Sequence, residues 1–213
     1  MKKLIVVFAL ALTATASFAQ SEKYTNAMKT NIALIDSAFA HPANFISLAN
    51  TFERIGTAEK TQWLPYYYAA YCQVNAGLLE KDNTKVDGIA DKATDLIAKA
   101  DSLSPNNSEI SCVKSMIATA HMKVNPMQRY MQYGEEISSE LADAIKQDPT
   151  NPRPNMIKGQ NLKFTPEQFG GGCKTAKPEL QTAADKFAAF KPASDIAPGW
   201  GKAWNDKLLA DCK

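Results

Sequence analysis

Ala93, Ile97, Ala100 and Pro105 set a spacing of four, three and five that Ile137, Leu141, Ala144 and Pro149 repeat, with the two prolines 44 residues apart. Steps of four and three keep the apolar residues of each set on one helical face, and the proline ends the helix. A third set, Ala176, Leu180 and Ala183, has its proline delayed to Pro192. Alanine in this pattern lets one helix approach another closely, while the larger residue fills the space between them. A chain so patterned is confined to helix hairpins packed in series.

The remaining chain has the same texture. Tyr24, Met28, Ile32, Ile35 and Phe39 form one apolar face, broken at His41-Pro42. Phe45, Leu48, Phe52 and Ile55 form another that runs to Gly56. The segment WLPYYYAAYCQVNAG closes at Gly77, and the next runs from about Val86 to Leu103 before Pro105. No stretch alternates apolar and polar residues with strand period. The expected fold is all-α, an α-solenoid of antiparallel helix hairpins with about nine helices. Residues 22–56 form its N-terminal hairpin, 60–192 its repeats and 199–211 a closing helix. The first helices of the hairpins fall near 62–76, 107–122 and 152–164.

The N-terminus reads as a signal peptide over residues 1–19. Lys2 and Lys3 precede an apolar run from Leu4 to Leu12, and Ser17 and Ala19 are the small residues of a cleavage site before Gln20. That run is shorter than the about 20 residues a membrane span needs, and no later stretch is apolar enough for one. The mature chain, 20–213, is therefore expected to be a soluble periplasmic protein. Removing Lys2 and Lys3 from the 24 basic residues leaves 22 against 22 acidic ones. A neutral chain without basic clusters gives no basis for nucleic-acid binding.

Cys72, Cys112, Cys173 and Cys212 allow several pairings in an oxidising compartment. A Cys173–Cys212 bridge would pin a C-terminus otherwise prone to fray; the alternative is four small apolar residues in helix interfaces. No pair has CxxC spacing, and neither His41 nor His121 stands in a zinc-ligand pattern. Neither metal nor cofactor is expected.

The spacing of the second helices resembles the tetratricopeptide repeat, which carries alanine, a bulky apolar residue, alanine and a terminal proline at these offsets. Gly159 stands where that repeat places its close-packing small residue, and Leu162 where it places tyrosine. The period of 44 exceeds the about 34 residues of that family. The resemblance covers roughly residues 60–192. It implies a concave face lined by first helices, and a protein or peptide as the partner held there.

FGGGCKT, residues 169–175, evokes a phosphate loop, but that motif needs glycine directly before its lysine, where Cys173 stands. The glycines read instead as the turn between two helices. The stripe of Trp63, Tyr67 and Tyr71 reads as core, with Tyr68 pointing elsewhere. Met116, Met122, Met127 and Met131 read as core fillers, copper(I) being the alternative for soft thioethers. Neither histidine has a recognisable nucleophile context, so catalysis is not expected. The expected function is a non-catalytic scaffold binding a protein or peptide through Tyr68, Lys114, Arg153, Asn155 and Asn161. The alternative is a small-molecule carrier with a pocket between the aromatic helix and the glycine turn, and an enzyme comes after both.

Overall fold

The computed structural model describes residues 22–212; the expected signal peptide and its cleavage point lie outside them. Among the described residues all regular structure is helical. Helix α1 covers 22–32, α2 is Ile35–Ala38, α3 Ala43–Glu59, α4 Trp63–Leu79 and α5 Asn83–Leu103. They are followed by α6 Ser108–Val124, α7 Pro126–Gln147 and α8 Arg153–Phe164, a 3-10 turn at Glu167–Phe169, α9 Cys173–Ala189 and α10 Lys202–Ala210.

Starts and stops are set locally. The side chains of Asp82, Asn107 and Asn125 accept hydrogen bonds from Thr84, Glu109 and Gln128 amides, so each of α5, α6 and α7 begins on a capped turn. The chain turns between α8 and α9 as the glycine run predicted. Gly170 and Gly172 have φ of +83° and +88°, which side-chain-bearing residues rarely adopt.

Helices α4 and α5, α6 and α7, and α8 and α9 pack as successive hairpins, and the first helices α4, α6 and α8 also touch in series. The recurring residues form the seams between them. Ala93, Ala100, Ala144, Ala176, Leu180 and Ala183 are fully buried, and Ile97, Ile137 and Leu141 nearly so. Gly159 is where α8 and α9 meet most closely: a Cβ there would lie 2.7 Å from the Leu180 side chain. Helix α4 is buried on almost every side from Tyr67 to Gly77, as a helix apolar all round its circumference must be. It is the central rod, with α3, α5 and α6 packed around it.

Candidate functional site

One long segment without regular structure, residues 190–201, decides what the inner face of the first helices can do. It leaves α9 at Phe190, crosses that face as a strap and enters α10 at Gly201 (φ +106°). A Cβ at Gly201 would lie 2.9 Å from Met156 Sδ and 3.0 Å from Phe187 Cζ, so glycine permits the strap to settle there.

A polar network welds the strap down. Tyr68 Oη donates to the Ile196 carbonyl (3.1 Å) and Trp200 Nε1 to Tyr67 Oη (2.8 Å). Tyr67 Oη in turn donates to Glu109 Oε2 (3.0 Å). Arg153, with no solvent exposure, donates to Glu109 Oε1 (2.8 Å) and to the Pro198 carbonyl (2.7 Å). Its guanidinium lies over the rings of Phe190 and Trp200, at 4.8 and 5.0 Å. Asn151 Nδ2 adds a further donor to Glu109 Oε1 (2.8 Å). Burial pushes the Glu109 carboxyl up against the opposing pull of Arg153, and it pushes the phenols of Tyr67, Tyr68 and Tyr71 well above their ordinary values.

The five residues expected to hold a partner are thus not gathered on an open surface. Tyr68 and Arg153 do face inward from first helices, and the chain's own strap covers both. Lys114 pairs with Asp101 of α5 (2.9 Å). Asn155 bridges Glu179 and Lys186 of α9, each at 2.7 Å. The amide nitrogen of Asn161 is buried without a hydrogen-bond partner. Cys173 and Cys212 are joined by a disulfide that ties α9 to the end of the chain, while Cys72 and Cys112 are free and buried.

Beside the strap lies a cleft of about 560 Å³. Ile32, Ile35 and Asp36 form its N-terminal wall, Tyr68 and Tyr71 its floor, and the strap from Pro192 to Trp200 the opposite wall. Trp200 lies against Tyr71, ring centroids 4.6 Å apart. Lys29, one turn before Ile32, reaches across to Asp195 Oδ2 (2.6 Å). The carrier alternative placed a pocket between α4 and the glycine turn. The observed cleft borders α4, but its other walls are the N-terminal helices and the strap. The glycine turn is folded on Leu162, Pro166 and Glu167 instead, through the amides of Gly172, Gly171 and Gly170.

Sequence reasoning passed over Trp200, the strap and the Ile32–Asp36 wall. The available signal was the stretch KPASDIAPGWG, which lacks helical period yet carries an isoleucine and a tryptophan. Long loops of that kind are uncommon and generally have a task. His121, the better-placed histidine, is held by Asp87 (2.9 Å) and stacked on Tyr133. Among the described residues no cluster of histidine, cysteine and acidic side chains is placed to hold a metal ion. Nor, among those residues, is any helix long and apolar enough to cross a membrane.

No family model matches the chain, and no curated protein does. The tetratricopeptide resemblance therefore rests on second-helix spacing; what the fold shares with a known protein is a helical architecture. The HusA haemophore from Porphyromonas gingivalis superposes with a TM-score of 0.80 at 36% sequence identity, covering 89% of this chain and 92% of that one. At that identity over nearly the full length of both, the chain belongs to the same family as HusA.

Proposed function

We propose that this chain is an exported, non-catalytic carrier that binds a planar tetrapyrrole such as heme in the cleft between α1–α2, α4 and the strap. The observation that carries the reading is the likeness to a haemophore. The cleft supports it by size and chemistry. Its volume of about 560 Å³ falls in the range of about 300–1,000 Å³ usual for small-ligand sites. Trp200, partly exposed and backed by Tyr71 at 4.6 Å, offers rigid aromatic area with few rotatable bonds, which suits the face of a large ring. Peptide binding on the inner face is less favoured, because the strap already satisfies Tyr68, Tyr67 and Arg153 there.

The ring would be gripped by its faces. The cleft-lining residues, all among those described, include no histidine, methionine or cysteine. Tyr68 Oη is already engaged by the Ile196 carbonyl.

The test is a hemin titration of residues 20–213, read in the Soret band, beside the variant Ala197→Trp, which fills the cleft from its strap wall. The parent should saturate and the variant should bind at least about tenfold more weakly, a difference of about 1.4 kcal/mol. No saturable change in the parent would defeat the carrier reading. Equal binding by a folded Ala197→Trp would move the ligand to another surface.

A further inference from the structure

The cleft carries an arrangement of charge that its apolar walls do not require. Two of its lining residues are acidic, Asp36 on the helical wall and Asp195 on the strap. Asp195 is paired with Lys29, whose side chain is half exposed and is not among the lining residues. Arg153, a second cation beside the strap, is fully buried and already engaged by Glu109 and Pro198.

We propose that Lys29 is the residue that recognises a carboxylate of the ligand, taking it in exchange for Asp195, so that the cleft selects planar apolar acids over neutral rings. This rests on the carrier reading above. An acid entering the cleft meets repulsion from Asp36 at the helical wall, and it is attracted at the mouth, where Lys29 stands one helical turn from Ile32. Lys29 holds Asp195 at 2.6 Å while both side chains face solvent, so the bond exchanges partners with little desolvation. A ligand carboxylate at the same ammonium replaces one charge-assisted bond by another. The freed strap residue turns to water, where Asp195 is already largely exposed. The Lys29–Asp195 bridge is then a latch that the correct ligand opens.

Exchange predicts opposite signs for the two partners. Lys29→Met removes the cation the ligand needs, whereas Asp195→Asn removes the competitor and keeps the cation. Hemin and hemin dimethyl ester, alike in ring and differing in charge, are the probes, titrated in low salt into the parent and both variants. Lys29→Met should weaken hemin about three- to tenfold and alter the ester less than about twofold. Asp195→Asn should tighten hemin about two- to threefold, and added salt should erode the parent's preference for the acid. Equal responses of hemin and ester to Lys29→Met, or a shift of hemin in the same direction for both variants, would reject the exchange and leave the cleft as the binding site. A parent that binds neither probe would remove the carrier reading itself. Both substitutions are at exposed positions, and unchanged helical circular dichroism verifies the fold in each.

Discussion

Arg153→Met is the substitution that most directly examines how the strap is held. The wild-type guanidinium is fully buried, with two charge-assisted bonds at 2.7 and 2.8 Å and two aromatic rings at 4.8 and 5.0 Å. Methionine retains much of the volume and the ring contacts but removes the charge. Glu109 is then left buried with only Tyr67 and Asn151 as donors. Breaking a buried pair from one side costs about 3–5 kcal/mol, because the remaining charge is uncompensated. For a chain of this size each kcal/mol lowers Tm by about 2–4 °C, so the melting point should fall by about 10 °C. The penalty must also depend on pH with a definite sign. Burial already raises the Glu109 carboxyl above its ordinary 4.5, and losing Arg153 removes the chief influence opposing that rise. A carboxyl raised in the folded state binds more protons folded than unfolded, so stability falls as pH rises from the ordinary value through the raised one. The deficit of Arg153→Met against the parent should therefore widen from about pH 5 to about pH 8. Urea unfolding followed by circular dichroism at both pH values measures it. The double variant Arg153→Met/Glu109→Gln, with no buried charge, should recover about 1–3 kcal/mol of the loss. A deficit under about 1 kcal/mol, one that narrows as pH rises, or a double variant worse than the sum of its parts would refute the reasoning.

Reducing the Cys173–Cys212 bridge, or replacing both residues by serine, should cost about 3–4 kcal/mol through the freed loop, whose ends are 39 residues apart, and lower the urea midpoint accordingly. Gly159→Ala should destabilise by about 1–3 kcal/mol, because the added Cβ falls 2.7 Å from Leu180 Cδ2 and Cγ and 3.2 Å from its backbone nitrogen. Differential scanning calorimetry beside Gly88→Ala, where the added methyl meets nothing within 4 Å, separates that clash from helix propensity. Iron-free protoporphyrin should compete with hemin within about threefold, since no histidine, methionine or cysteine lines the cleft to bind iron; displacement followed in the Soret band checks this.

Helices and seams were readable because both depend on local period. The residues of the three recurring sets contact one another's helices through small side chains, and their spacing alone predicts burial. The strap was not readable in that way. It has no period, and its place on the inner face is set by contacts made far along the chain: Tyr68 with Ile196, Tyr67 with Trp200, Lys29 with Asp195. A proline- and glycine-rich segment gives no register from which such partners follow. The same holds for the cleft, whose walls come from opposite ends of the sequence.

Arg153 is the instructive residue, because the signal for its partner was present in the sequence. Exposure is the ordinary state of arginine. Yet Glu109 precedes Arg153 by 44 residues, the same distance that separates Pro105 from Pro149. The two residues therefore occupy equivalent positions in adjacent repeats, each four residues after its proline. In stacked hairpins equivalent positions of neighbouring first helices lie side by side, and α6 and α8 do touch. Opposite charges at such positions can satisfy each other inside the stack, so the repeat register names the partner of a buried arginine before any coordinates do. Asn151 and Ser108, 43 residues apart and bonded at 2.9 Å, follow nearly the same register at the start of the same two helices. The Glu109–Arg153 pair thus lies on the inward face where α6 and α8 meet. The strap comes to rest on that face because the pair leaves guanidinium Nη2 to donate to the Pro198 carbonyl.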